Sequence, residues 1–132
     1  MKRILTVILA GIAPFAMLAA DTLDGIFNSR FKSLTTTVAG NEMSPPVITL
    51  NGNDRVIISF DELSDERSYL RYSLVHCNAL WQPSGLVESE FLDGFNIGDA
   101  EEFSYSQATT VNYIHYSLSL PNDQMRFTIS GN

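Results

Sequence analysis

The chain has 132 residues and a formal net charge of −7, with 45% hydrophobic residues, one Cys, one Trp and two His. An acidic chain lacks the Lys and Arg excess that nucleic acid and anionic lipid attract, so neither is an expected partner. A single Cys excludes an intramolecular disulfide framework, and the length fits one domain.

Lys2 and Arg3 precede an apolar run over residues 4–18, and Ala19-Ala20 precede the polar Asp21. This is the pattern of a cleaved secretory signal peptide over residues 1–20. The run, roughly 15–17 residues, is short of the about 20 that a spanning helix needs. An uncleaved anchor is the alternative. No Cys follows the run, so no direct lipid anchor is expected, and the destination is outside the cytoplasm. Residues 21–132 keep six basic residues (Arg30, Lys32, Arg55, Arg67, Arg71 and Arg126) against fifteen acidic ones, a net charge near −9. A domain of that size buries about two-thirds of its surface and holds a core. The charge is uneven. No Lys or Arg stands between Arg71 and Arg126, where Glu88, Glu90, Asp93, Asp99, Glu101, Glu102 and Asp123 all fall.

Residues 21–32 read as a lead-in segment. From Ser33 the period becomes two, with Leu34, Thr36 and Val38 alternating against Ser33, Thr35 and Thr37, which favours a strand. Pro45-Pro46 introduces a short strand over 47–50. Asn51-Gly52-Asn53-Asp54 is a turn cluster, and 55–60 reads as the returning strand, which makes 47–60 a predicted hairpin. Residues 61–66 form an acidic turn. A long strand is predicted over 68–77, with Tyr69, Arg71, Ser73, Val75 and Cys77 on one face and Leu70, Tyr72, Leu74 and His76 on the other.

Residues 78–100 lack a period and are rich in Gly and Pro. Trp81, Phe91 and Phe95 argue for an ordered excursion that packs back on the sheet, because disordered segments are poor in aromatics. Short strands follow over 103–107 and 111–120. In the second of these, Asn112, Ile114, Tyr116, Leu118 and Leu120 share one face. Pro121-Asn122-Asp123 turns the chain into a last strand marked by Met125, Phe127 and Ile129. Six or seven short strands without a long amphipathic helix predict an all-β, immunoglobulin- or fibronectin-like β-sandwich over 33–132. The closing Ser130-Gly131-Asn132 reads as a turn awaiting another strand, so the sandwich is expected to be incomplete at its C-terminal end.

Chemistry finds little support. His76 and Cys77 are strand neighbours whose side chains point to opposite faces, so they do not pair as base and nucleophile. Neither His76 nor His115 sits in a nucleophile motif, and a hydrolase would need one of them within hydrogen-bond reach of a Ser or carboxylate. No His or Cys spacing matches a zinc site and no acidic spacing matches a calcium loop, so no metal, cofactor or catalytic residue is assigned. Trp81 with Tyr105 or Tyr113 could form a sugar-stacking platform, as in a carbohydrate-binding module, or Trp81 could plug the space between sheet and loop. Exposure of its ring discriminates the two.

The run His76-Cys77-Asn78-x-x-Trp81-x-Pro83-Ser84, followed by Glu90-Phe91-Leu92-Asp93-Gly94-Phe95, resembles the N-terminal domain of the type IX secretion system plug proteins of Bacteroidota. The resemblance extends over residues 31–132. It includes Gly40-Asn41-Glu42-Met43-Ser44-x-Pro46-x-Ile48-x-Leu50, Ile58-Ser59-Phe60-Asp61-Glu62-Leu63, Asn112-Tyr113-x-His115-Tyr116-x-Leu118-x-Leu120-Pro121-Asn122 and Phe127-Thr128-x-Ser130-Gly131-Asn132. It implies a non-enzymatic periplasmic protein. Its expected partner is the outer-membrane translocon β-barrel (SprA-like), whose periplasmic opening it would bind and occlude. For this chain the expected brace of the 78–100 excursion is His76, Cys77, Trp81, Pro83, Phe91 and Phe95. The expected contact surface is Glu88, Glu90 and Asp93.

Overall fold

The structure, a computed structural model, describes residues 25–132. The expected signal peptide over 1–20 lies outside the described residues. The elements are β1 (Phe31–Val38), β2 (Val56–Glu62), β3 (Arg71–Tyr72), a one-turn helix α1 (Glu88–Phe91), β4 (Leu92–Gly94), β5 (Gly98–Asp99), β6 (Glu102–Tyr105), β7 (Ile114–Leu120) and β8 (Met125–Phe127).

Four strands form an antiparallel sheet in the order β1-β2-β7-β6. Over this sheet lie two small antiparallel ladders, β3 with β5 and β4 with β8. The result is an all-β, sandwich-like fold. The register explains the core. Ile58 lies opposite Leu118, Phe60 opposite Tyr116 and Glu62 opposite Ile114. With a side-chain period of two, one face of β2 and the 114-116-118-120 face of β7 therefore point the same way. Ile114, Tyr116 and Leu120 are buried there. The second layer covers that face with two clusters. Phe91, Leu92 and Met125 close on Leu120, and Ala100 closes on Ile114 and Tyr116. Phe60 and Tyr116 stack with ring centroids 5.3 Å apart, and Phe31 meets Phe60 edge-on at 5.8 Å.

The predicted 47–60 hairpin is not formed. Residues 47–50 join no ladder, and β2 pairs with β1 on one side and β7 on the other. A strand has two edges, and both edges of β2 are taken by long partners whose side chains complete the core. The 47–50 segment instead starts in a tight turn, the Val47 N–H donating to the Pro45 carbonyl at 2.7 Å.

The predicted strand over 68–77 is also cut down, to Arg71–Tyr72. Its alternation survives nonetheless, with Leu70, Tyr72, Leu74 and His76 half-buried while Arg71, Ser73 and Val75 are exposed. The ladder stops because Leu74 is met by a side chain. Asn96 accepts its N–H through Oδ1 (2.7 Å) and donates Nδ2 to its carbonyl (2.8 Å). The excursion over 78–100, read as unperiodic, contains α1, β4 and β5. β7 begins at Ile114, three residues later than predicted, and keeps the predicted inward face. The turn from β7 to β8 is organised by Asn122, whose Oδ1 accepts the N–H groups of Gln124 and Met125 at 3.0 and 2.9 Å.

Candidate functional site

The excursion starts in a turn that its own sequence builds. Asn78 Oδ1 accepts the N–H groups of Leu80 and Gln82 at 2.9 and 3.1 Å. The Asn78 N–H donates to the Gln82 carbonyl at 2.9 Å. A side-chain oxygen thus replaces ladder partners, as Asn commonly does in turns. Cys77 and Pro83 face each other as an isolated bridge across this turn. Trp81 takes the left-handed conformation at φ 59°, unusual for a bulky residue.

His76 ties this turn to the chain's last residues. Its Nδ1 lies 2.7 Å from Ser84 Oγ and its Nε2 lies 3.0 Å from the Ser130 carbonyl. The carbonyl can only accept, so Nε2 carries a proton and donates to it, an assignment that follows from the partner. The ring tilts against Phe91 at 5.8 Å. Beside it, Cys77 and Asn132 exchange both backbone hydrogen bonds, at 2.8 and 3.0 Å, and Asn132 Nδ2 donates to the Asn78 carbonyl at 2.9 Å. Gly131 passes so close that a Cβ there would overlap the His76 ring. The motif around His76 and the final Ser130-Gly131-Asn132 are therefore one knot.

Of the six expected brace residues, the structure brings four into this knot. Cys77 and Phe91 are buried, His76 is half-buried between them, and Pro83 closes the bridge to Cys77. Two stand apart. Trp81 is 63% exposed and Phe95 81% exposed. The expectation that Trp81 plugs the space between sheet and loop is thus corrected, because the left-handed turn at Trp81 itself carries its ring outward. Phe95 lies beyond Gly94, which at φ 118° runs so close to the Gln124 carbonyl that a Cβ would overlap it. The chain crosses there without room for a side chain, and Phe95 just beyond it is exposed, as are Val75 and Ile97.

Glu88, Glu90 and Asp93 are all exposed on α1 and β4. Two of the three are also held. Glu90 Oε2 accepts the Val87 N–H at 2.9 Å, and Glu88 Oε1 accepts from Asn96 Nδ2 at 3.0 Å. Asp93 lies opposite Arg126 in the β4–β8 ladder. The basic residues that flank the acidic stretch in sequence thus lie beside it in space, and Arg71 likewise pairs with Asp99 at 3.3 Å.

Both histidines do come within reach of a polar partner. His115 Nδ1 lies 2.7 Å from Asp61 Oδ1, its cross-strand partner. The separation that would have removed a hydrolase reading is therefore not found. At His76 the geometry favours holding over chemistry, since the Ser84 N–H is spent on the His76 carbonyl and the Ser84 Oγ also faces the Leu86 N–H at 3.4 Å. Among the described residues no group of three or more His, Cys, Asp or Glu is placed to hold a metal ion.

Sequence reasoning missed a second tie. Glu62 is fully buried at the end of β2, where Arg30 Nη2 (2.5 Å), Ser68 Oγ (2.6 Å) and the Tyr116 hydroxyl (2.8 Å) all donate to its carboxylate. Burial alone would push this carboxyl up. The hydrogen bonds from Ser68 and Tyr116 and the Arg30 charge outweigh it and hold the group below its ordinary value. Burial and the hydrogen bond to Glu62 push the Tyr116 phenol up. Glu62 is in phase with Ile58 and Phe60, a signal that counts only once β2 is seen to run two residues past the predicted 55–60 strand. Arg67 is a further case. Its guanidinium lies over the Phe103 ring at 4.1 Å and the Tyr69 ring at 5.3 Å.

Two antiparallel layers, a core between them and an excursion knotted to the final residues define an all-β domain that presents loops and apolar side chains on its surface. The sequence model of the type 9 secretion system plug protein 1st domain matches residues 31–132, and the chain belongs to that family. Its role therefore lies in type IX secretion. A solved structure, the crystal structure of a hypothetical protein from Parabacteroides merdae ATCC 43184, is similar with a TM-score of 0.77 and 38% sequence identity. The match covers 79% of this chain and 26% of that one, so the chain spans about a quarter of that protein's length. No curated protein matches the chain.

Proposed function

We propose that this domain is a non-enzymatic, periplasmic part of a plug that binds the periplasmic opening of the outer-membrane translocon and occludes it. The carrying observation is the family match over residues 31–132. The surface supports a binding role. The excursion is tied down by the His76 knot and the Asn96 staple, and exposes the acidic Glu88, Glu90 and Asp93 and the apolar Phe95 and Ile97. A segment tied down in advance loses little entropy on docking. Occlusion needs shape and contact, and neither His is required for chemistry. The test is co-purification of the whole plug protein with the translocon from detergent-solubilised outer membranes. Recovery of the barrel supports the reading, and its absence at every detergent and salt condition overturns it.

One observation favours a second reading, a carbohydrate-binding module. Trp81 is exposed, as sugar stacking requires. The chain has a single Trp, so oligosaccharide titration read by its fluorescence tests that reading directly. An unchanged spectrum across a panel of envelope glycans removes it.

A further inference from the structure

We propose that the cleft at Trp81 is the seat of the plug protein's next domain, and that it receives from that domain an apolar segment bearing a carboxylate. This rests on the family membership and is independent of translocon binding.

The cleft has a volume of about 670 Å³, within the roughly 300–1,000 Å³ of sites that enclose a ligand or a few side chains. One wall is the 46–52 segment, which joins no ladder. The other runs from β8 through residues 129–132. Apolar groups dominate its mouth. Val47 is 78% exposed, Trp81 and Ile129 also reach solvent, and Phe127 lines the inside while packing on the core. Its charge is opposite to that of the chain. Arg55 and Arg126 line it, with Asp123 in the lining and Asp93 the cross-strand partner of Arg126, in a chain whose net charge is −7. Arg55 is fixed there by donating to the Pro121 carbonyl. An apolar cleft with two guanidinium groups selects an apolar segment with an acidic side chain.

The occupant follows from the comparisons. The matching family describes a first domain, and the similar Parabacteroides chain is only 26% covered by this fold. Such a protein has about three-quarters of its length to place beside the first domain. Residues 129–132, the last that the first-domain match covers, line the cleft, so a domain next to the first one would be tethered at its rim. A neighbour tethered at that rim is present at an effective concentration in the millimolar range, which weak apolar contacts can exploit.

The test is residue-resolved hydroxyl-radical footprinting of the whole plug protein, this domain together with those that follow, and of the 132-residue chain. The expected result is a drop of at least fivefold in Trp81 oxidation in the whole protein, with Tyr69 and Phe95 unchanged. Val47→Asp in the whole protein should restore Trp81 reactivity. The ranking within the whole protein, Trp81 protected and Phe95 reactive, can be read even if the short chain does not fold. Equal Trp81 reactivity in both proteins overturns the proposal. So does protection that appears only when translocon or oligosaccharide is added. Loss of translocon binding with Trp81 still protected would sink the plug reading and leave this one standing.

Discussion

Glu62 and His76 each join segments distant in sequence, but in different surroundings. Glu62 ties β2 to Arg30, Ser68 and Tyr116 as a fully buried carboxylate. His76 ties the Asn78 turn to residue 130 as a half-exposed ring. The first tie sits where water cannot replace a lost partner, so each bond there is costly to break. The second sits where water can step in. The comparison teaches that the core sets this domain's global stability, whereas the knot sets the local order of the surface that carries the family motif.

The sharpest test of that contrast is Tyr116→Ala, which removes a fully buried ring and a bond to Glu62. It should cost about 3–5 kcal/mol in urea unfolding, enough to unfold a domain of marginal stability. Tyr116→Phe keeps the ring and removes only the hydroxyl. A bond to a charged group predicts a loss of about 1.5–3 kcal/mol, and a loss below about 0.5 kcal/mol would break the view that Glu62 is costly to disturb.

The acid limb of stability provides the next test. The folded value of Glu62 lies below its ordinary one, so its contribution is complete above the ordinary carboxylate range and disappears as pH falls through the folded value. Glu62→Gln should flatten that part of the stability-versus-pH curve, and an unchanged slope would assign it to other carboxylates. His76→Ala should cost only about 1 kcal/mol globally. Its distinctive readout is local, as amide exchange at Cys77 and Asn132 should quicken while β7 amides stay protected. Smallest of all, Phe95→Ser on the exposed outer face should shift stability by less than about 0.5 kcal/mol. A larger loss would mean that Phe95 braces the fold after all.

Legibility tracked periodicity. The 114-116-118-120 face of β7 and the half-buried Leu70-Tyr72-Leu74-His76 face were readable because a period of two declares which side chains share a side. The 47–60 hairpin was misread because the turn cluster at 51–54 is a local signal, whereas pairing is decided by competition for strand edges. Asn96 was invisible. Its role as a surrogate strand for Leu74 depends on a residue 22 positions away. At the candidate site His76, Cys77, Pro83 and Phe91 converge around one turn. That Trp81 and Phe95 face outward could not be read, because a left-handed φ at Trp81 and the crossing at Gly94 set their direction.

The sequence by itself determined the all-β class, the inward face of the central strand, the acidic balance and, through its motifs, the type 9 plug family. These are properties of composition and short-range order, and they are written wherever side chains alternate or punctuate. Only the tertiary structure decided that β2 pairs with β1 and β7, that a glutamate is buried beneath Arg30, and that the family motif closes on residues 130–132. Those outcomes depend on which distant segments exclude water from one another most completely. That free energy belongs to the packed pair and to neither segment alone.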